Sequence, residues 1–411
     1  MNPLFAQLKT VRGLDDGPLC PYVQPYITQL QKQGYQPKTV RQHLCLFAYF
    51  NCWLRRTDRG LRDLNEAIIE RFLRHLRVRR KWQWKDRSAL HRLFSILRNA
   101  RVTPEAEKIP PTPAQRLANQ YRCYLLKERG CSAYTLENYG RHVDRFVAER
   151  FGSGTVRRSR LRAQDIIAFV QSGARQFSRG HASQLVTALR SFLRFLHYCG
   201  HLTTDLAAVV PSVAHWRMTG LPKYLSSESV QKVLDSCDQT TAFGRRNYAI
   251  LIMLARLGLR GGEIVNLQLE DLDWETAQLT IHSKKSRSWT RLPMPGDVGK
   301  AVARYLQHDR PRCSSRNVFV RMVAPYQRLS RANVIAKLTR TALKQAGVGC
   351  GQTGSHVFRH SLATEMLRQG ASLEEIGQVL RHKNPDTTAI YAKVDLDALR
   401  RLAIVWPGGV Q

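Results

Sequence analysis

Apolar residues recur at helical spacing along most of the chain. Val40, Leu44, Phe47 and Leu54 mark one face, and Leu136, Tyr139, Val143, Phe146 and Val147 mark another. Each face follows a matched turn: Gly34-Tyr35-Gln36-Pro37-Lys38-Thr39-Val40 is echoed 96 positions later by Gly130-Cys131-Ser132-Ala133-Tyr134-Thr135-Leu136. A second helix follows in both copies, with Leu64, Ile69 and Phe72 in one and Leu161, Ile166 and Phe169 in the other. A further helix closes each unit, around Ala89-Leu90-His91-Arg92-Leu93 and Ala188-Leu189-Arg190-Ser191-Phe192. The pattern predicts two similar helical bundles over 18–101 and 114–210, separated by Ile109-Pro110-Pro111-Thr112-Pro113. Period alone makes amphipathic helices alike, but here the turn residues match as well, and duplication is the simplest account.

After Pro211 the pattern changes. Leu221-Pro222-Lys223-Tyr224-Leu225-Ser226 reads as an extended linker ending at a helix cap. The region beyond is mainly helical, but Gln278–His282 and Thr290–Met294 alternate like two strands joined by the basic loop 283–289, and Asn317–Val320 could add a third. The expected architecture is therefore mainly α with a small β-hairpin or sheet. Its expected domains are an additional N-terminal helical domain at 1–108, a second helical domain at 109–215 and an α+β domain at 216–411.

Charge narrows the function. The 411 residues hold 65 Lys plus Arg against 31 Asp plus Glu, a formal charge of +34, which points to a polyanionic partner. With 43% hydrophobic residues, each domain can bury a core, which excludes a disordered basic tail. Neither a bilayer-length apolar run nor a leader ahead of Met1-Asn2-Pro3-Leu4-Phe5 is visible, so no membrane partner and an intracellular, soluble chain are expected. Nine cysteines are scattered without a C-x-x-C pair; Cys45 and Cys52 are expected as buried thiols, with no disulfide framework or zinc site.

Four clusters in the last region carry candidate chemistry. Arg260 follows an apolar helix in Leu257-Gly258-Leu259-Arg260-Gly261-Gly262-Glu263. Lys284 and Lys285 sit on the expected hairpin tip. His356 and Arg359 share a helix face at i and i+3, and His382 precedes Tyr391 by nine residues. Each has a bland reading taken singly, as a helix-end arginine, a soluble hairpin tip, a chance polar pair and a half-buried core tyrosine. Together they are the parts needed to transesterify a phosphodiester. Two guanidinium forks, Arg260 and Arg359, suit the non-bridging oxygens of a pentavalent transition state. A tyrosine hydroxyl, with a solution pKa of about 10, must lose its proton as it attacks, with help from His356 or His382. The 5′ oxygen leaves only with a proton, which a lysine can donate; Lys284 is the choice, with Lys285 as the alternative.

The order Arg, Lys, His-x-x-Arg, His, Tyr resembles the tyrosine recombinases, including phage integrases and bacterial chromosome-dimer resolvases. The resemblance runs from about residue 114 to the end. Gly258-Leu259-Arg260-Gly261-Gly262-Glu263 matches the family's first arginine context, which implies a supporting role for Glu263. His356-Val357-Phe358-Arg359-His360 matches its His-x-x-Arg-His box, Leu380-Arg381-His382 its Leu-Gly-His box, and Ile390-Tyr391-Ala392 its nucleophile. The second bundle takes the place of the core-binding domain that clamps DNA. Three departures stand out: Arg381 where glycine is usual, Ser283-Lys284-Lys285 where Gly-Lys-Gly is common, and the additional first bundle.

The resemblance implies a site-specific recombinase that joins Tyr391 to a DNA 3′-phosphate and needs neither ATP nor a metal or other cofactor. It further implies double-stranded DNA as partner, a homo-oligomer with a dimer on each site and a tetrameric synapse, and a cytoplasmic protein of a prokaryotic mobile element. Asp395–Trp406 reads as a capped amphipathic helix, which in the family packs on a neighbouring protomer; packing on its own chain is the alternative. Three other classes stand beside this reading. A type IB topoisomerase shares the chemistry, and an accessory DNA-binding protein would not require Tyr391. A metal nuclease would need an Asp/Glu/His cluster that the sequence lacks.

Overall fold

The computed structural model of the chain describes residues 14, 16–79, 84–104, 110–152, 154–156, 161–213, 222–282, 289–349 and 354–394. The chain divides into two compact units, residues 107–219 and a second unit that combines 1–106 with 220–411.

In the first hundred residues, α1 (Cys20–Lys32), α2 (Pro37–Arg56), α3 (Glu66–Arg79) and α4 (Trp84–Asn99) enclose one apolar core. Prolines open α1 and α2, where the missing N–H removes no helical bond. Unit 107–219 holds α5 (Pro113–Lys127), α6 (Ala133–Phe151), α7 (Ala163–Gln176) and α8 (Arg179–Tyr198) around its own core. Thr112 and Ser132 cap α5 and α6 through their hydroxyls.

Buried positions of the two bundles correspond helix by helix. Tyr26 and Leu30 of α1 answer to Tyr121 and Leu125 of α5, and Phe50 of α2 to Phe146 of α6. Ile69 and Phe72 of α3 answer to Ile166 and Phe169 of α7. Leu90, Leu93 and Leu97 of α4 answer to Leu189, Phe192 and Leu196 of α8. Cys45 and Cys52, expected inside, are only half-buried, because the wall of α2 is completed by Leu44, Phe47 and Leu54.

The third region has the largest core. Its centre is α10 (Ala242–Leu257), in which every residue from Ala249 to Leu257 except Arg256 is buried, so the helix is covered on nearly all sides. Around it lie α9 (Ser227–Asp235), α11 (Gly261–Asn266), α12 (Gly296–His308), α13 (Ala332–Gln345), α14 (His356–Arg368) and α15 (Leu373–Val379). An antiparallel sheet of order β1-β2-β3 is formed by Leu272–Asp273, Gln278–His282 and Trp289–Pro293. The hairpin register pairs Leu279 with Leu292 and His282 with Trp289, so the second strand begins one residue earlier than the alternation suggests.

Asn317–Val320 does not join this sheet. Arg310 donates to the carbonyls of Ser315, Asn317 and Val318, which occupies acceptors a ladder would need, and only isolated bridges to Gln268 and Arg328 form. The third strand is instead Leu272–Asp273. The expected helix at 395–406 lies outside the described residues. Among the described residues no helix is long and apolar enough to cross a membrane.

Candidate active site

Four local structures converge on one tyrosine. The first is the end of α10. Gly258 adopts φ +55, and a Cβ there would stand 2.8 Å from Leu380 Cδ2 and 3.0 Å from Leu362 Cδ2. Glycine is thus required both for the left-handed turn and for the close approach. Two residues later Arg260 caps the short α11. Its backbone N–H donates to Glu263 Oε2 at 2.8 Å and its Nη1 to Glu263 Oε1 at 2.9 Å, so the carboxylate fixes both the turn and the guanidinium.

The second structure is the first turn of α14. His356 opens the helix, and Arg359 lies one turn on, 3% exposed. Arg359 Nη1 donates to the Gly258 carbonyl at 2.6 Å, and Nη2 donates to the Leu380 carbonyl. The guanidinium therefore ties the end of α10 to the turn after α15. Burial lowers its pKa to about 9, with Arg260 and Arg381 adding to the effect, yet it remains cationic at neutral pH.

The third structure is that turn. Arg381 N–H donates to the Gln378 carbonyl at 3.0 Å and His382 N–H to Gly377 at 2.9 Å, a helix ending that places Arg381 at φ +56. An arginine there costs roughly 1–2 kcal/mol that a glycine would not. Its side chain, 10% exposed, meets Glu263 with Nη2 3.1 Å from Oε2. Glu263 is thus held between Arg260 and Arg381. Burial raises its carboxyl pKa, but Arg381, the Arg260 N–H and the Arg260 charge outweigh burial, so the net direction is down.

The fourth is a 3-10 turn, Ala389–Val394, that carries Tyr391 against a small apolar patch of Ala363, Ile376 and Leu380. Tyr391 is 1% exposed. Its hydroxyl shares a hydrogen bond of 2.9 Å with His360 Nδ1, and its ring lies parallel to His382, centroids 6.5 Å apart. His382 Nδ1 bonds Thr388 Oγ1 at 2.7 Å. Burial lowers both His360 and His382 to about 4, so both are neutral at pH 7. Burial pushes the Tyr391 phenol up to about 12, while the Arg359 and Arg260 charges pull it down.

Five of the six candidates, Arg260, His356, Arg359, His382 and Tyr391, come from these four structures, while Lys284 and the alternative Lys285 lie outside the described residues. Two side chains absent from the sequence-derived candidates, His360 and Arg381, are built into the same arrangement. His360 had a visible signal, since it stands four residues after His356 on one helix. The pairing of Arg381 with Glu263, 118 positions away, had none. Among the described residues no group of three or more His, Cys, Asp or Glu side chains could hold a metal. Chemically, the arrangement offers guanidinium donors for an anion, a phenol as nucleophile and neutral imidazoles as proton acceptors.

Comparison with known proteins identifies the family. The family model of the phage integrase family matches residues 223–397, and that of the phage integrase N-terminal SAM-like domain matches 118–198. A protein of Sinorhizobium fredii (strain NBRC 101917 / NGR234) named as an integrase/recombinase, y4rA, is 40% identical over 398 residues, 96% of each chain. Tyrosine recombinase XerD of Listeria monocytogenes serotype 4b (strain F2365) is 31% identical over 286 residues, 68% of this chain and 94% of that one. Among solved structures, XerH site-specific recombinase bound to difH substrate superposes with TM-score 0.55 at 18% identity, covering 70% of this chain and 84% of that one. A lambda integrase dimer on a core site gives 0.54 at 13% identity, covering 74% and 86%; both likenesses concern the fold. The chain belongs to the phage integrase family of tyrosine recombinases.

Proposed function

We propose that the chain cuts and rejoins double-stranded DNA with Tyr391 as nucleophile. The Tyr391 oxygen attacks a backbone phosphorus, its proton passes to a neighbouring imidazole, and the bond to the 5′ oxygen breaks. This leaves a 3′-phosphotyrosyl link and, once the leaving oxygen is protonated, a free 5′ hydroxyl. A 5′ hydroxyl from a second strand then reverses the step. The phosphodiester energy is kept in the covalent link, so the reaction as proposed calls for neither ATP nor a metal.

One observation carries this reading: the tyrosine hydroxyl, a neutral imidazole and the guanidinium groups that bias its proton are drawn from three separate local structures into one place. His360 is the acceptor in contact with the hydroxyl here, while His356 and His382 suit hydrogen bonding to the phosphate. Arg260 and Arg359 bind the phosphate oxygens, with Glu263 holding Arg260. Lys284, or Lys285 beside it, protonates the leaving oxygen.

The chain is parsed as an additional helical domain (1–108), a core-binding domain (109–215) and a catalytic domain (216–411). Recombination requires two duplexes, hence two protomers on each site and four in the synapse. DNA bearing candidate sites nicked near the scissile phosphate tests the proposal in EDTA, because the short 5′ fragment diffuses away and traps the intermediate. Wild type should accumulate a covalent protein–DNA band and Tyr391→Phe none. DNA binding by both without an adduct on an authentic site would instead point to an accessory DNA-binding protein.

A further inference from the structure

The first bundle is the part of the chain to which the reaction assigns nothing. Between residues 20 and 101 it carries 18 Lys plus Arg against 5 Asp plus Glu, and 14 of the 18 are arginine. Such an imbalance repels itself in the folded state, and a counter-charge from outside removes the cost.

Five carboxylates cannot balance 18 cations. Glu66 is held by Arg98 at 2.8 and 2.9 Å, Glu70 is paired with Arg87, and Asp63 accepts the Gly60 N–H at 2.8 Å. On α3 this leaves Arg71 and Arg74 exposed without a carboxylate partner among the described residues. On α2, Lys38, Arg41 and Arg56 are likewise exposed and unpaired among the described residues, with Tyr49, 60% exposed, on the same outer face. From Lys38 to Arg56 this face runs about 27 Å at 1.5 Å per residue, several phosphate spacings of a duplex.

The second bundle, whose buried positions match those of the first, treats its charge differently. Arg122, Arg141, Arg145 and Arg150 are paired with Asp144, Glu137, Glu149 and Asp165. The first bundle thus repeats the helical plan of the second, while Arg41, Arg56, Arg71 and Arg74 stay without a carboxylate partner among the described residues. Arginine in excess of lysine suits bidentate contact with phosphate.

We infer that the first bundle is a second DNA-backbone-binding module, gripping duplex DNA through Lys38, Arg41, Arg71 and Arg74. This inference takes only the identity of the polyanion from the proposed function, and it requires no catalysis. The test uses the full chain carrying Tyr391→Phe, with random-sequence duplexes of 20, 40 and 60 base pairs as probes. It compares this protein with the same chain also bearing Lys38→Gln, Arg41→Gln, Arg71→Gln and Arg74→Gln.

The four substitutions should weaken binding to the longest duplex about 10- to 100-fold near 0.15 M salt. They should also reduce the slope of log K against log salt by roughly 2–4, at about 0.9 for each phosphate that is no longer neutralised. The advantage of 60 over 20 base pairs should shrink, with little change in thermal stability, since the four side chains are exposed and without a carboxylate partner among the described residues. Equal affinity and slope for the two proteins would overturn the inference and leave the proposed reaction intact. A change in oligomeric state with unchanged binding per protomer would assign the surface to assembly instead. Failure of the parent chain to bind duplex DNA at all would sink both readings.

Discussion

Two buried tyrosine–histidine pairs invite comparison. In the first bundle Tyr26 is fully buried and its hydroxyl bonds His43 Nδ1 at 2.7 Å; in the third region Tyr391 is nearly so and bonds His360 Nδ1 at 2.9 Å. Burial lowers both histidines to about 4 and raises both phenols. As a local motif the two are nearly the same.

Their surroundings differ. Tyr26 stands in the middle of α1 within an extensive apolar core, where Arg92 is the cation acting on it. Tyr391 rides on a short 3-10 turn against a small patch, and two arginines, themselves fixed by Glu263 and by backbone carbonyls, bias its proton. A phenol bonded to imidazole is therefore an ordinary way to bury a hydroxyl. What distinguishes the pair proposed for catalysis is the number and fixation of the guanidinium groups and the slightness of the turn that holds the tyrosine.

The sharpest way to break this comparison is to change the histidines in parallel. His360→Phe should slow single-turnover cleavage of a nicked site about 100-fold or more with DNA affinity unchanged, as expected for loss of a positioned proton acceptor. His43→Phe should leave the cleavage rate within about twofold and lower only the melting temperature. Equal effects on cleavage would mean that His360 has no role beyond packing.

Arg381 gives a smaller effect. Arg381→Gly relieves the left-handed backbone but releases Glu263, and should reduce the cleavage rate constant roughly 3- to 10-fold with little change in DNA affinity. Combined with Glu263→Gln it should add less than the product of the single effects, because the two side chains act on Arg260 together. Full additivity in a double-mutant cycle would show that Arg381 does not work through Glu263.

The mildest effect is on stability. Unfolded histidine titrates near 6.5, while folded His43, His360 and His382 titrate near 4. Between those values the unfolded chain binds more protons, so stability is complete above about pH 6.5 and falls as pH drops toward 4. A chain with His43→Phe should lose less over that window. Melting temperatures that do not decline from pH 6.5 to 4.5 would contradict the buried neutral imidazoles.

Helical periodicity made both bundles legible, because a core face repeating at 3.6 residues leaves a regular trace at Phe47, Phe72 and Leu90. The five described site candidates were legible because their chemistry is unusual in combination. Other features left no trace. Leu272–Asp273 is too short to alternate, and the apolar run at 317–320 resembles a strand although Arg310 takes its carbonyls. Neither the burial of His43 nor the reach of Arg381 to Glu263 could be read, since both depend on contacts between distant segments.

The most direct measurement is to digest the trapped protein–DNA adduct with trypsin and nuclease and sequence the modified peptide by mass spectrometry. Cleavage after Lys383 and Lys393 yields Asn384–Lys393, which contains Tyr391 as its one tyrosine. The account predicts a nucleotide phosphate on that tyrosine and on no other residue. A nucleotide on a different residue, or an unmodified Asn384–Lys393 peptide from a chain that nonetheless cleaves DNA, would contradict it.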